Sequence, residues 1–423
     1  MNVAVVGIGR IGLPLAAKIA SQGHQVVGCD INEELVGRIN RAENPLPDEQ
    51  GLGQLLTEVV TSGHLRATTD TTGAVAGCDT VLFCVAVDID AANRADVSPL
   101  LKAAQSVGKG MQPGTLCIFD TTLPIGTTRA VLAPALEVGG LRLGSEFSVA
   151  FSPERLLMGR VIEDLTKYPK VVGGLDAEGG HRAAAFYREV FGGEVFELAS
   201  AEAAELSKLA EGAYRDLNIA LANELAQVAD AYGIDIVEVT RAANSQPYSH
   251  LHTPGTGVGG HCIPVYPHFL VQGQGPSALS ALGRKVNDAM PGYAVERVEK
   301  LVGGLAARMV LVLGLTFRPN VAVTSHTNAT DLLREFEARG ASVFGHDPLL
   351  TAEGIHSIGF TPAPEPLRGY DIAVVHAFHT AYASFDWRAI APVLLDARNA
   401  LDRVAIEARG VRYVGIGRPV SPD

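Results

Sequence analysis

Asn2-Val3-Ala4-Val5-Val6-Gly7-Ile8-Gly9-Arg10-Ile11-Gly12-Leu13-Pro14 is the stretch whose reading decides the fold. A short apolar strand runs into closely spaced glycines, and residues 13–22 then carry a helical pattern. A strand that turns sharply into a helix begins a βαβ unit. Residues 24–29 supply the second strand, with Asp30 at its end. Further strands at 80–85, 115–119 and 148–151 alternate with helical pattern. That alternation predicts a parallel sheet with right-handed crossovers.

Composition changes after residue 199. Residues 201–232 are rich in Ala, Leu and Glu, with Gly212 the one breaker before Gly233, and they read as one long helix. A Gly/Pro/His-rich loop follows at 247–267, a length that usually serves function in compact proteins. Residues 279–301 again read as helix. Strands at 309–313, 342–344, 372–376 and 393–396, with a helix at 331–339, then form a second α/β unit. The expected fold class is α/β. Two doubly wound Rossmann-like domains, 1–199 and 303–423, are joined by a helical central domain, 200–302, with a long helix.

Hydrophobic residues make up 47% of the 423 and charged residues 19%, a globular composition. A net charge of −12 argues against nucleic acid as a partner. It leaves room for a small anionic ligand held at a helix N-terminus. Mean hydropathy is slightly positive, yet no run offers the ~20 apolar residues of a membrane span. Residues 1–6 lack the basic start of a leader peptide. Five cysteines are too few for a disulfide framework. Cys29, Cys78, Cys84 and Cys117 lie in or beside apolar runs, where cysteine acts as a small hydrophobe. Cys262 does not. These features predict a reduced, cytoplasmic protein. The twelve histidines form no complete ligand pattern, so no metal is expected.

The glycine turn has its own chemistry. Gly7 makes the turn, Gly9 admits a diphosphate to the backbone, and Gly12 lets helix and strand pack closely. The helix N-terminus offers unpaired N–H groups to the phosphates. Asp30 suits ribose hydroxyls and repels a 2′-phosphate, so the expected cofactor is NAD rather than NADP.

The second informative segment is Pro254-Gly255-Thr256-Gly257-Val258-Gly259-Gly260-His261-Cys262-Ile263-Pro264. Its glycines predict exposed main-chain N–H groups and close backbone approach to a ligand. On these residues alone, two readings of Cys262 stand open: a thiolate in a polar pocket, or an incidental thiol on a structural loop.

Several separated motifs then share one pattern. They are the Gly7–Pro14 turn, Thr121-Thr122-Leu123-Pro124-Ile125-Gly126-Thr127, and Ser152-Pro153-Glu154-Arg155. Farther on come Ala204-Glu205-Leu206-Ser207-Lys208-Leu209-Ala210, Tyr214-Arg215-Asp216-Leu217-Asn218 and Gly259-Gly260-His261-Cys262-Ile263-Pro264. In order and spacing the chain resembles the UDP-glucose/GDP-mannose dehydrogenase family, and most its UDP-N-acetylhexosamine 6-dehydrogenase branch. The resemblance implies an NAD-dependent four-electron oxidation of a sugar C6 alcohol to a carboxylate. UDP-N-acetylglucosamine, UDP-N-acetylmannosamine, UDP-glucose and a related sugar are the substrate candidates, the N-acetylhexosamines first. Cys262 is the implied nucleophile, forming a thiohemiacetal and then a thioester.

The same resemblance implies that Thr122 orients water or sugar, Glu154 acts as base in thioester hydrolysis, and Lys208 stabilises oxyanions. It places Gly7, Gly9, Arg10, Ile11, Gly12, Asp30, Cys84, Val85 and Thr122 against NAD. Arg155, Leu156, Lys208, Arg215, Asn218, His252, Gly259, Gly260, Phe317 and Arg318 are implied to hold the nucleotide sugar, with its UDP on the C-terminal domain. Lys208, Glu211, Arg215 and Asn218 fall within roughly an 80° arc of one helix. The expected assembly is a homodimer packed through the central helix.

Four positions depart from the commoner family pattern. Tyr266 stands for an aspartate, Gly212 for an asparagine, Arg318 for a lysine, and Ser325 for an arginine. They keep two alternatives in view: a catalytically impaired nucleotide-sugar-binding homologue, and a two-electron β-hydroxy-acid dehydrogenase. Glu154 with Arg155, and Lys208 alone, also have a bland reading as solvated surface charges.

Overall fold

Val3, Ala4, Val5 and Val6 are all buried, as a central strand covered on both faces requires. The computed structural model describes residues 1–420, and contacts divide the chain into two units. The first holds Met1–Glu211 and His268–Gly275; the second holds Gly212–Pro267 and the chain from Pro276 onward.

In the first unit the strands are β1 (Asn2–Val6), β2 (Gln25–Cys29), β3 (Leu65–Thr68), β4 (Thr80–Phe83), β7 (Leu116–Phe119), β8 (Ser148–Phe151), β9 (Lys170–Gly174) and β10 (Val195–Leu198). A small hairpin, β5 (Asp88–Ile89) and β6 (Ala95–Asp96), stands apart. The sheet order is β10-β9-β8-β7-β4-β1-β2-β3, so the order reverses between β1 and β4. In such sheets the ligand crevice lies at the carboxyl ends of the strands beside that reversal.

Two expectations need correction here. The strand expected over 80–85 stops at Phe83, which leaves Cys84 and Val85 in the loop at the sheet edge. The sheet is also not wholly parallel, because β9 runs antiparallel to β8, with Phe151 opposite Gly173. The reversal follows from the entry point: the chain starts β9 at the edge where β8 ends. Lys170, its first residue, is thereby carried to the ligand edge, and continuing the register sets it opposite Glu154.

The second unit has β11 (Met309–Leu313), β12 (Ser342–His346), β13 (Thr361–Pro362), β14 (Ile372–Val375), β15 (Val393–Asp396) and β16 (Arg412–Gly415). They form one parallel sheet, β13-β12-β11-β14-β15-β16, reversing between β11 and β14. Met290, Ala294, Val295 and Val298 of helix Ala278–Val302 join its core, beside Ala226 and Ala229. The long helix is realised as Ala201–Ala231, and the chain passes from the first unit to the second within it. The loop expected over 247–267 is cut short, because Tyr266 and Pro267 open helix Tyr266–Val271.

Candidate active site

The turn after β1 is built as its glycines require. Gly7 has a φ of +87°, and a Cβ on Gly12 would lie 1.9 Å from the Gly7 carbonyl oxygen. A Cβ on Gly9, by contrast, would meet nothing within 4 Å, so this side of the turn is open to a ligand. Helix Gly12–Ser21 has no side-chain cap and no acidic residue in its first turn, which leaves its N-terminal end available to an anion. Asp30 is half-buried at the end of β2. Its Oδ2 accepts the Ile8 N–H at 3.1 Å and its Oδ1 the Asn32 N–H at 3.0 Å. Each oxygen retains capacity for a ribose hydroxyl. Arg10 is engaged by Asp48 at 2.6 Å, and Ile11 packs partly buried against the core. Cys84 and Val85 follow β4, directly across the sheet reversal. These residues fit a dinucleotide.

Beside that crevice, register pairs Phe83 with Phe119 and Phe119 with Phe151. The loops leaving β4, β7 and β8 therefore emerge together. Thr122 is buried, and the neighbouring Thr121 hydroxyl donates to Val85 O at 2.7 Å. Glu205, buried on helix Ala201–Ala231, accepts Gly126 N–H at 2.5 Å, Thr128 N–H at 3.0 Å and the Thr128 hydroxyl at 2.6 Å. It pins the loop that carries Thr122.

Glu154 is not the surface partner of Arg155. Its Oε1 accepts the main-chain N–H of Arg155 at 2.6 Å and of Leu156 at 3.0 Å, and its Oε2 faces Lys170 Nζ at 3.2 Å. Arg155 instead meets Glu211 at 2.8 Å and donates to Pro169 O at 3.2 Å. The Leu156 side chain packs against the hydrophobic core. Sequence reasoning missed Glu205 and Lys170; the first lay inside a quoted motif, and the second carried no signal.

In the second unit, Cys262 is exposed, unlike Cys29 and Cys117, which are buried, and Cys78 and Cys84, which are half-buried. The glycine loop before it departs from expectation. Gly255, Thr256 and Gly257 are buried, and two of their main-chain N–H groups have partners within the chain. Gly255 N–H donates to Asn223 Oδ1 at 2.9 Å and Thr256 N–H to Ala397 O at 3.1 Å. Arg398 donates to Gly257 O at 2.8 Å. Asn223 is held in turn by Asn287 at 2.8 Å, and Asn287 by Asp216 at 2.8 Å. Buried N–H groups must be paired, so this part of the loop is anchored rather than offered to a ligand.

Gly259 and Gly260 lie against Phe317: a Cβ on either would come within 3.0 Å of that side chain. The Arg318 guanidinium sits 5.6 Å from the Phe317 ring centroid. Arg215 is exposed and close enough to His252 that its charge adds to burial in lowering the imidazole pKa. Asn218 donates to Tyr214 O at 2.6 Å, within its own helix. Lys208 is half-buried on that helix.

Two of the four departures meet in space. A Cβ on Gly212 would lie 3.4 Å from Tyr266 Cβ and 3.7 Å from its ring. Tyr266 N–H in turn donates to Cys262 O at 2.9 Å. The small residue makes room for the large one, beside the cysteine turn. Ser325 is exposed.

Open space at Gly9, an uncapped helix start and a half-buried acid after β2 fit an NAD-dependent dehydrogenase. Comparison with known proteins gives the class a family. Residues 1–191 match the NAD-binding domain of the UDP-glucose/GDP-mannose dehydrogenase family, 202–288 its central domain and 311–403 its UDP-binding domain. The chain belongs to that family and is an NAD-dependent nucleotide-sugar dehydrogenase.

It is 32% identical, over 99% of both chains, to the UDP-N-acetyl-D-mannosamine dehydrogenase of Pyrococcus horikoshii. It is 35% identical to the protein of the same name from Salmonella typhi, over 80% of this chain and 81% of that one. The solved structure of the Pyrococcus horikoshii enzyme superposes with a TM-score of 0.90, covering 99% of this chain and 100% of that one.

Proposed function

We propose that the enzyme oxidises the C6 alcohol of a UDP-N-acetylhexosamine to the carboxylate, with UDP-N-acetyl-D-mannosamine the first candidate. The names of its relatives support that sugar. Bound NAD supplies the hydride acceptor, two being consumed per sugar. This chain's residues do the rest. Loss of the first hydride and a proton makes the C6 aldehyde. Cys262 Sγ adds to the aldehyde carbon, and the thiol proton ends on oxygen as a thiohemiacetal. Loss of a second hydride and that proton leaves a thioester. Water then breaks the C–S bond, which releases the acid and restores the thiol. Thr122 orients the water or sugar, Glu154 receives the water's proton, and Lys208 stabilises the oxyanion.

Arg155, Leu156, Arg215, Asn218, His252, Gly259, Gly260, Phe317 and Arg318 hold the nucleotide sugar, its UDP resting on the C-terminal sheet. The observation that carries the reading is the exposed Cys262 on a turn anchored through Asn223 and Arg398. The Gly212–Tyr266 contact favours a rearranged working site over an impaired one.

Helix Ala201–Ala231 supports the homodimer. Its exposed Leu206, Tyr214, Leu221 and Val228, continued by Tyr232, fall within roughly 80° of one face, an apolar stripe fit for a second copy. Five free cysteines, one of them needed as a thiol, suit the reducing cytoplasm. No helix among the described residues is long and apolar enough to cross a membrane.

The test is to incubate the enzyme with NAD and a panel of UDP- and GDP-sugars and count NADH per sugar consumed. Two NADH per sugar, falling to no acid in Cys262→Ala, is the expected result. Full acid formation by Cys262→Ala would remove the nucleophile.

A further inference from the structure

Lys170 is a buried ammonium that the mechanism above does not use. Only 7% of the residue is exposed, and burying a charge is costly unless it is paired. The antiparallel turn of β9 brings it to the ligand edge of the first sheet. Four titratable groups face it there: Glu154 after β8, Asp120 after β7, Cys84 after β4, and Tyr187 of helix Ala177–Phe191. Its Nζ lies 3.2 Å from Glu154 Oε2 and 4.9 Å from the Tyr187 ring centroid, while the Tyr187 hydroxyl donates to Asp120 Oδ1 at 2.7 Å. Burial pushes the Asp120 carboxyl up to about 7, against the opposing pull of Lys170. Burial alone would lower Lys170, but Glu154 and Asp120 outweigh it and raise it.

We propose that Lys170 is a positioning residue for Glu154, aiming its carboxylate so that one acceptor site remains for the hydrolytic water. The count supports this. An ionised carboxylate has about four lone-pair sites, and Glu154 spends three of them on Arg155 N–H, Leu156 N–H and Lys170. With two backbone donors fixing one oxygen and Lys170 the other, the remaining direction is set. Without the ammonium, Glu154 Oε2 loses the donor that fixes its direction. The proposal rests on Glu154 as the base of thioester hydrolysis.

A merely structural Lys170 would change stability and leave the reaction sequence intact. The readout is therefore the Cys262 adduct. Wild type, Glu154→Gln, Lys170→Met, Lys170→Arg and the double variant Asp120→Asn with Lys170→Met are each mixed with NAD and UDP-N-acetyl-D-mannosamine. Intact-protein mass then reports thioester on Cys262, and thermal melts report folding. The double variant removes both buried charges together, so it carries the test if Lys170→Met alone does not fold.

Acid formation in Lys170→Met and in the double variant should fall about 100-fold, with thioester accumulating as in Glu154→Gln. Lys170→Arg should restore part of the rate. Thioester accumulating in Glu154→Gln but in neither Lys170→Met nor the double variant would overturn the inference and spare the reading of Glu154. Full turnover by Glu154→Gln would overturn that reading, and the inference with it.

Discussion

The turn after β1 and the turn after β11 are two versions of one device. Gly7 and Gly314 both have positive φ, +87° and +78°, and donate to the ends of β2 and β12, Gly7 to Cys29 O at 2.8 Å and Gly314 to His346 O at 2.9 Å. An aspartate follows each second strand and accepts the N–H after the glycine. Asp30 takes Ile8 at 3.1 Å, and Asp347 takes Leu315 at 2.7 Å. Each also accepts the N–H two residues on, Asn32 at 3.0 Å and Leu349 at 2.9 Å.

They differ in what comes next. After Gly7 there is open space at Gly9 and a helix starting at Gly12; after Gly314 come Leu315, Thr316 and Phe317, and helix Ala329–Ala338 starts later. Asp30 is half-buried with room to accept more, while Asp347 is buried and also bonded to His379 Nε2 at 2.9 Å. The first turn leaves its acid room to accept more. The second spends it on the fold.

The largest effect expected from that contrast is on stability. Asp347→Asn replaces an ionic acceptor of His379, Leu315, Thr316 and Leu349 in a buried site, and should cost about 2–4 kcal/mol in denaturant unfolding. Asp30→Asn should cost less than about 1 kcal/mol but admit NADP, as cofactor titration will show. Equal stability losses, or unchanged discrimination against NADP by Asp30→Asn, would break the comparison. Burial works against the Asp347 carboxylate, yet the His379 bond and main-chain donors hold it below the ordinary range. Its stabilisation is therefore present above ~3.9, the unfolded value, and lost as pH falls further.

A smaller effect separates the next strands. Cys84 follows β4 and donates to Val6 O at 2.8 Å, while His376 follows β14 and donates to Leu313 O at 3.0 Å. Only the second is an imidazole, and burial pushes it down to about 3. The unfolded chain binds that proton near ~6.5. Stability from His376 is thus complete above the unfolded value and lost progressively as pH falls towards 3. His376→Asn, which can still donate to Gly314 O, should flatten the decline of melting temperature over this range. An unchanged slope would assign acid lability elsewhere.

The legible part of the molecule was the part with local geometry. Gly7, Gly9, Gly12 and Asp30 lie in one βαβ unit, so spacing alone placed them. The β9 reversal was not legible, because strand direction is settled by long-range pairing rather than by the five residues of the strand. Lys170 accordingly read as nothing, between Pro169 and Val171. Gly212 and Tyr266 each stood out alone, but their contact crosses more than fifty residues of chain. His376 and His379 entered only among the twelve histidines. His376 bonds to Gly314 O at 2.8 Å, and His379 lies between Asp347 and the Asn320 N–H, which donates to it at 2.9 Å. The glycine loop misled for a physical reason: small residues allow burial as readily as exposure, and here Asn223 and Ala397 took the N–H groups.

The central claim is that one turn serves the dinucleotide and the other the nucleotide of the sugar. Hydrogen–deuterium exchange on the full chain, with NAD alone and then UDP alone, tests it most directly. NAD should slow exchange over residues 8–13 and leave 315–320 unchanged, and UDP should do the reverse. Protection of residues 8–13 by UDP, with none at 315–320, would contradict the account.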